Sequence, residues 1–100
     1  MQFGLREEII ENLRRIFYVH PEIERAVVFG SRARGTHKDR SDLDIALFGN
    51  VTFQLQVRIS VEIDELNLPW KIDILVFKDL KNEELKTYIL EEGIELWIRE

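Results

Sequence analysis

Apolar residues recur at helical intervals near the start of the chain, which predicts an amphipathic helix over residues 5–17. Charged residues occupy many of the other positions, as expected for a helix with one solvated face. A proline disfavours helical backbone in the residue before it, so His20-Pro21 ends the helix. The apolar positions that define the helix are Leu5, Ile9, Leu13, Ile16 and Phe17.

Three short apolar segments of the chain predict strands. They cover residues 25–29, 42–48 and 71–77. The first is apolar after its opening residue and ends at Gly30, so we expect it to be buried on both faces of a sheet. The second is closed by Gly49-Asn50. Residues 30–41 between these two strands are polar and predict a short helix over 31–34 followed by a loop.

Two more helices are predicted in the second half of the chain. Residues 52–66 form a long helix that ends before Pro69. A final helix is capped by Asp79 or Asn82 and has Gly93 as its C′ residue. The core-facing positions are expected to be Phe53, Val57, Val61, Ile63 and Leu66 in the first of these helices and Leu85, Ile89 and Leu90 in the second.

Helices and strands alternate along the chain, which predicts an α/β or α+β fold with a mixed or parallel sheet of three or more strands flanked by helices. The tail over residues 94–100 is too apolar for a free end. We expect it to pack on the body as an extended piece or a last helical turn. A length of 100 residues suits one domain, so residues 1–100 are predicted to form a single domain.

The charge and composition exclude several classes of protein. Lys and Arg number 14 against 19 Asp and Glu, so nonspecific nucleic-acid binding, which needs a basic face, is not expected. The chain has no cysteine, which excludes a disulfide framework, a thiolate zinc site and a cysteine nucleophile. It shows neither an apolar leader nor a membrane-length apolar segment, so a cytoplasmic protein without a membrane partner is predicted.

Gly30-Ser31, directly after the first strand, is a candidate phosphate-binding turn. Glycine lets the backbone approach a ligand closely, and the N-terminus of a following helix offers unpaired N–H groups. The Ser31 hydroxyl can add a hydrogen bond. The alternative is an ordinary strand-to-helix turn capped by Ser31, and the turn alone favours that alternative.

Asp42 and Asp44 are candidate metal ligands at the start of the second strand. Residues two apart in a strand project from the same face, which places Leu43, Ile45 and Leu47 on the opposite, core-facing side. Neighbouring carboxylates repel each other unless a cation lies between them, and Mg²⁺ prefers oxygen ligands. The alternative is a solvent-facing strand start on which two acids happen to fall.

Asp73 is an acidic residue in an otherwise apolar strand. A carboxylate buried there must be paired, solvated or bound to metal, and pairing with Lys71 or an arginine is the alternative to a metal site. With Asp42 and Asp44 it would complete a site for nucleotidyl transfer, in which two Mg²⁺ ions about 3.5–4 Å apart clamp the reacting oxygens at phosphorus. Asp42 and Asp44 would bridge both ions. Asp73 would hold the ion beside the acceptor hydroxyl and help to take its proton.

The sequence from Gly30 to Asp44 reads Gly-Ser, ten residues, Asp-x-Asp, and a third aspartate follows in an apolar strand. This pattern resembles the polymerase-beta-type nucleotidyltransferase superfamily. The small size of the chain is most similar to the minimal nucleotidyltransferases, the MntA-like proteins. Gly35 and Ser41 also match the usual sequence of that motif. The order of helices and strands extends the resemblance over nearly the whole chain.

The resemblance implies a small nucleotidyltransferase fold that binds Mg²⁺ and ATP or another nucleoside triphosphate. It implies that Gly30 and Ser31 hold the triphosphate and that Asp42, Asp44 and Asp73 hold metal. Proteins of this kind are commonly encoded beside a HEPN-domain toxin, typically an RNase, for which they are the antitoxin. Some of them transfer AMP from ATP to a tyrosine of the toxin. A HEPN-domain partner is therefore expected for this chain.

Two functions from different classes follow from these observations. The first is an enzyme, an Mg²⁺-dependent nucleotidyltransferase that adenylylates a partner protein. Because no residues remain for an acceptor-binding domain, we expect a homo- or hetero-oligomer. The second is a non-catalytic antitoxin that neutralises its partner by complex formation. The complete set of three aspartates favours the enzyme over this binding module. Transfer to a small molecule is a third, weaker alternative, because no acceptor pocket can be assigned.

A local basic cluster lies in the loop after the first strand of this acidic protein. Its side chains could neutralise the triphosphate or meet an acidic face of the partner, and a solvated loop is the alternative. We expect a functional role for one of the arginines, and the sequence does not choose between them. The cluster consists of Arg32, Arg34, His37, Lys38 and Arg40.

Overall fold

The computed structural model describes residues 2–100, and its elements follow the predicted order with a fourth strand added at the end. The helices are α1 (Glu7–Tyr18), α2 (Ser31–Arg34), α3 (Phe53–Asp64) and α4 (Glu83–Glu92), with a 3₁₀ turn (Phe77–Asp79) before α4. The strands are β1 (Ile23–Phe29), β2 (Leu43–Gly49), β3 (Ile72–Val76) and β4 (Ile94–Ile98). No helix within residues 2–100 combines the length and the apolar composition that a membrane span requires.

The strands form one mixed sheet in the order β3-β2-β1-β4. Strand β2 pairs in parallel with β3, and β1 pairs antiparallel with both β2 and β4. This confirms the predicted mixed sheet with flanking helices. The pairing also brings the C-terminal end of β1 together with the N-terminal ends of β2 and β3, which are the strand ends that carry the candidate site.

Most of the core lies on the face of the sheet that α1 and α3 cover. Leu43, Ile45 and Leu47 of β2 point into this core and are fully buried, as the strand alternation predicts. The other face carries a smaller cluster covered by α4. The buried residues of that cluster are Val27, Phe29, Ala46 and Ile89. Asp44 and Asp73 project from this second face by strand alternation, so α4 is the helix that shares it with them.

The apolar tail forms β4, antiparallel to β1 at the edge of the sheet. The prediction of an extended piece packed on the body is therefore confirmed over the alternative of a helical turn. Arg99 fixes the end of this strand, because its guanidinium donates hydrogen bonds of 2.9–3.2 Å to four main-chain carbonyl oxygens around the α1–β1 connection.

The core-facing side of α3 differs from the prediction. Phe53, Val57 and Val61 were expected in the core and are 75%, 46% and 53% exposed. Residues two apart in a helix point about 200° away from each other, and α3 carries apolar residues on both of these sides. The residues of the segment that reach the core are Leu55, Ile59, Ile63 and Leu66. The prediction is therefore confirmed for Ile63 and Leu66 and was wrong for the three exposed residues.

Helix α4 is capped by Asn82, one of the two predicted caps, whose side chain accepts a 3.1 Å hydrogen bond from the Leu85 N–H. Leu85 and Ile89 pack on the sheet as predicted. Leu90 is exposed, and its prediction was wrong because it lies one residue further round the helix than Ile89. Gly93 ends the helix in extended rather than left-handed backbone. Glycine is needed there for space, since a Cβ atom would collide with the Ile89 carbonyl oxygen and with β1.

Candidate active site

The structure brings the predicted site residues together at one edge of the sheet. Asp44 of β2 lies opposite Phe29, the last residue of β1, and beside Asp73 of β3 in the strand register. Gly30 and Ser31 follow Phe29 directly, and Ser31 begins α2. The central strand β2 thus places one carboxylate between a second carboxylate and the Gly-Ser turn.

Gly30 occupies a backbone conformation that is open to glycine and strained for other residues. Its φ of 83° and ψ of −155° lie in a region essentially restricted to glycine. A Cβ atom at this position would lie 2.7 Å from the Asp44 Oδ2 atom. The missing side chain therefore lets the Asp44 carboxylate lie directly against the Gly30 main chain.

Asp42, Asp44 and Asp73 interact electrostatically. Strand β2 begins at Leu43, one residue later than predicted, so Asp42 lies just before the strand and is exposed. Burial raises the pKa of the Asp44 carboxyl, and the charges of Asp73 and then Asp42 raise it further. Asp44 is therefore a carboxylate whose negative charge is unfavourable where it stands, as expected for a cation site.

Asp73 is half-exposed and lies 3.4 Å (Oδ1 to Lys71 Nζ) from a lysine on the same strand end. This is the pairing that the sequence left open as the alternative to a metal site. Surface ion pairs of this kind are weak, and the Lys71 side chain is itself largely exposed. Lys71 can therefore swing away from Asp73 at little cost when another cation is present.

The donor set of this edge fits Mg²⁺. Three carboxylates supply the hard oxygen ligands that this ion prefers, and Asp44 lies beside Asp73 in the strand register and two residues from Asp42. Within residues 2–100 no three acidic or histidine side chains are gathered tightly enough to surround an ion as they stand. A metal would therefore draw Asp42 and Asp73 towards Asp44, with water and substrate oxygens completing its shell.

The raised pKa of Asp44 predicts that its ionisation destabilises the fold. A carboxyl whose pKa is higher in the folded than in the unfolded state binds more proton when folded, so its contribution to stability falls as pH rises. Without divalent metal, the melting temperature of Asp44→Asn minus that of the unaltered protein should increase as the pH rises above about 4. If the difference in melting temperature between the two proteins does not change over this pH range, the charge of Asp44 does not destabilise the fold.

The basic cluster separates into side chains with different surroundings. Arg32 is buried, at 3% exposure, and its guanidinium donates hydrogen bonds to main-chain carbonyl oxygens. Arg34 is exposed, and its guanidinium carbon lies 5.8 Å from the centre of the Tyr88 ring. Lys38 and Arg40 are exposed in the loop. Arg32 is therefore not available to a triphosphate, whereas Arg34 is.

Tyr88 of α4 borders the site and was not singled out from the sequence. Its ring lies edge-on to Phe29, with the ring centres 6.4 Å apart, and so connects α4 to the strand end before Gly30. Within residues 2–100 its buried hydroxyl has no hydrogen-bond partner. A tyrosine one turn from the end of an amphipathic helix carries no sequence signal for such a position.

Comparison with known proteins identifies the fold and the reaction class. The family model described as "Polymerase beta, Nucleotidyltransferase" matches residues 11–100. The chain belongs to this nucleotidyltransferase family. The match extends from the middle of α1 to the end of the chain and includes every residue of the candidate site, which confirms the resemblance drawn from the Gly-Ser and Asp-x-Asp motifs.

Two relatives have names that specify the reaction further. The nucleotidyltransferase is 36% identical over 76 residues to "Putative protein adenylyltransferase MJ0435" of Methanocaldococcus jannaschii, which covers 74% of this chain and 80% of the relative. It is 39% identical over 49 residues to "Probable protein adenylyltransferase MntA" of Haemophilus influenzae, covering 47% of this chain and 43% of the relative. Together with the family match, they show that the protein is a nucleotidyltransferase enzyme.

A solved structure supports the fold. A crystal structure of a toxin-antitoxin with AMP-PNP superposes with a TM-score of 0.72 at 21% identity, covering 96% of this chain and 76% of the other. At that identity the likeness is one of fold. Its extent shows that the mixed sheet and its flanking helices are arranged as in that structure.

Proposed function

We propose that the protein is an Mg²⁺-dependent adenylyltransferase that transfers AMP from ATP to a hydroxyl of a partner protein, a HEPN-domain toxin for which it serves as antitoxin. The observation that carries the proposal is the position of Asp44, which lies beside Asp73 in the register and directly under Gly30. Family membership supplies the reaction class. The names of the relatives supply the acceptor class and the toxin partner.

Gly30 and Ser31 are proposed to bind the triphosphate. The glycine lets the Asp44 carboxylate lie against the main chain, so phosphate oxygens bound at the Gly30-Ser31 turn would lie close to Asp44. The Ser31 hydroxyl makes no hydrogen bond to other residues of the described range and is free to donate one. Arg34, exposed at the end of α2, adds a positive charge on the side of the sheet that Tyr88 covers.

Asp42, Asp44 and Asp73 are proposed to hold metal. When bound, Mg²⁺ neutralises the triphosphate and favours ionisation of the acceptor hydroxyl. Asp42 and Asp44 would each be a ligand of both ions. Asp73, on the edge strand, would be a ligand on the side from which the acceptor enters. Lys71 keeps Asp73 charge-balanced before substrates bind.

The proposed transfer balances as a displacement at phosphorus. The acceptor oxygen forms a bond to the α-phosphorus while the bond from that phosphorus to the bridging oxygen of the β-phosphate breaks. Pyrophosphate leaves with the electron pair of the broken bond. The hydroxyl proton passes to the Asp73 carboxylate or to water, since Asp73 is half-exposed and next to the edge of the sheet.

The partner protein is proposed to supply the acceptor surface. Helix α4 borders the site through Tyr88, which packs on Phe29, whereas Asp42 is exposed and the Asp73 side chain is half-exposed. A side chain of another protein can therefore reach the three carboxylates from outside. The acceptor hydroxyl, a tyrosine by analogy with the MntA-like proteins, would enter beside Asp73.

The proposal is tested by co-expressing the protein with the product of its neighbouring gene. After purification and incubation with ATP and Mg²⁺, the intact mass of both chains is measured. We expect the partner to gain mass in steps of one AMP, and the gain to disappear with the Asp73→Asn variant. A stable complex that gains no mass would instead support the non-catalytic antitoxin, and the absence of both complex and transfer would contradict the proposal.

A further inference from the structure

The buried side chain of Arg32 contacts several loops at the catalytic end of the molecule. Its Nε atom donates to the Ser41 carbonyl oxygen at 3.0 Å, Nη1 to that of Phe3 at 2.8 Å and Nη2 to that of Asp39 at 3.2 Å. Its guanidinium carbon lies 4.8 Å from the centre of the Trp70 ring. A single guanidinium thus joins three segments that are far apart in the sequence.

Two of these segments, the one at 39–41 and the one at Trp70, lead directly to the candidate ligands. Ser41 immediately precedes Asp42, so the hydrogen bond to its carbonyl oxygen fixes the chain at the point where the first aspartate begins. Trp70 lies three residues before Asp73, and the Leu43 N–H donates to the Lys71 carbonyl oxygen at 2.9 Å. The starts of β2 and β3 are therefore tied to each other and to Arg32.

Within residues 2–100, no carboxylate accepts a hydrogen bond from the Arg32 guanidinium. Its three hydrogen bonds all go to neutral main-chain oxygens, and burial lowers the pKa of the guanidinium, an effect that the charge of Asp39 partly offsets. A buried charge with this set of partners costs stability unless its geometry is well satisfied. An arginine fits here because its donors are spread over three nitrogen atoms, each of which bonds one carbonyl oxygen, whereas a lysine carries all its donors on one nitrogen.

We propose that Arg32 is a positioning residue, which holds the loop before Asp42 and the start of β3 in the arrangement that the metal-binding carboxylates require. The inference rests on the proposed function for its catalytic consequence. It assigns Arg32 a role different from that of a phosphate ligand, and it makes the N-terminal turn around Phe3 part of the support of the active site.

A second contact supports the same assembly from the N-terminal side. Gly4 has a φ of 72°, and a Cβ atom there would collide with the His37 ring and lie 3.1 Å from the Arg32 Nη1 atom. The turn that presents the Phe3 carbonyl oxygen to Arg32 is therefore packed tightly against the 36–41 loop. Disturbing Gly4 should loosen the loop without altering any group in the site.

The test compares Arg32→Lys and Gly4→Ala with Arg58→Lys, a control on the exposed surface of α3. Hydrogen exchange of the amides in residues 36–42 should be about tenfold faster in the first two variants and unchanged in the control. The affinity for Mn²⁺, measured by electron paramagnetic resonance of the free ion, should fall about 10- to 100-fold. The kcat for AMP transfer should fall by a similar factor, with the KM for ATP changed less than about threefold.

The outcomes separate the possible roles of Arg32. A rise of about tenfold or more in the KM for ATP with unchanged hydrogen exchange would make Arg32 a phosphate ligand and overturn the proposal. Lower thermal stability with unchanged exchange in 36–42, Mn²⁺ affinity and kcat would also overturn it. If Arg32→Lys does not fold, Gly4→Ala decides alone. If the unaltered protein transfers no AMP, the proposed function fails, while the exchange and Mn²⁺ measurements still decide whether Arg32 positions the carboxylates.

Discussion

Replacing Asp42 and Asp44 together with asparagine should abolish AMP transfer and leave the protein folded. Both carboxylates are proposed to hold the ions that stabilise charge on the triphosphate, a contribution of several kcal/mol to the transition state. Its loss corresponds to a rate decrease of about a thousandfold or more. The rate of AMP incorporation into the partner and the Mg²⁺-dependent affinity for ATP both measure this effect.

The same double variant should be as stable as the unaltered protein, or slightly more so, when no metal is present. Asp44 carries a raised pKa because burial and its two acidic neighbours disfavour its charge, and asparagine removes that charge. Asp64→Asn with Asp79→Asn removes two exposed carboxylates elsewhere and serves as the matched control. An unchanged ATP affinity in the site variant would remove these residues from the metal site, and a large drop in its melting temperature would make them structural.

Gly30→Ala should lower both stability and transfer. The backbone at Gly30 is open essentially to glycine alone, so alanine costs on the order of 1–3 kcal/mol of folding free energy. The new methyl group would also stand 2.7 Å from the Asp44 Oδ2 atom and displace that carboxylate. A displacement of about 1 Å at a reacting site can reduce the rate about 100-fold, measured as kcat at a temperature where the variant is folded.

Gly35→Ala separates backbone strain from the contact with Asp44. Gly35 also has a positive φ, 77°, but a Cβ atom there would have no neighbour within 4 Å. We expect this variant to lose stability, by about 1–2 kcal/mol, and to retain most of its transfer activity. Equal losses of kcat in the two alanine variants would show that the space over Asp44 does not matter.

The arrangement of the aspartates could be predicted from the sequence because strand geometry has a period of two residues. Once Leu43, Ile45 and Leu47 are assigned to the core, Asp44 has to lie on the other face, and the structure places it there. The same rule puts Asp73 on that face. The register that makes these two aspartates neighbours is a property of the parallel pairing between β2 and β3 and was not accessible from the sequence.

The buried side of α3 could not be predicted because the helix carries two apolar stripes. Phe53, Val57 and Val61 have the same helical spacing as Leu55 and its successors at 59 and 63, and periodicity alone does not rank them. The choice is made by tertiary packing against α1 and the sheet, which buries the second stripe. The β-branched residues of the first stripe remain at the surface.

The separate roles of the arginines in the basic loop depend on contacts between distant segments. Arg32 is buried because the turn at Phe3 folds over the loop. This turn is 29 positions away from Arg32 in the sequence. Arg34, two residues further on, projects to the surface beside Tyr88. Sequence spacing places both residues in the same loop, and only the three-dimensional packing distinguishes the buried guanidinium from the accessible one.

Transfer of label from ATP most directly tests whether the site moves AMP to a protein. The purified pair of proteins is incubated with Mg²⁺ and ATP labelled either at the α-phosphate or at the γ-phosphate, and the two chains are separated. We expect the α-label on the partner, the γ-label only in released pyrophosphate, and neither label on the partner with the Asp42→Asn/Asp44→Asn variant. Label from the γ-phosphate on the partner, or α-label that persists in the variant, would contradict adenylyl transfer by these carboxylates.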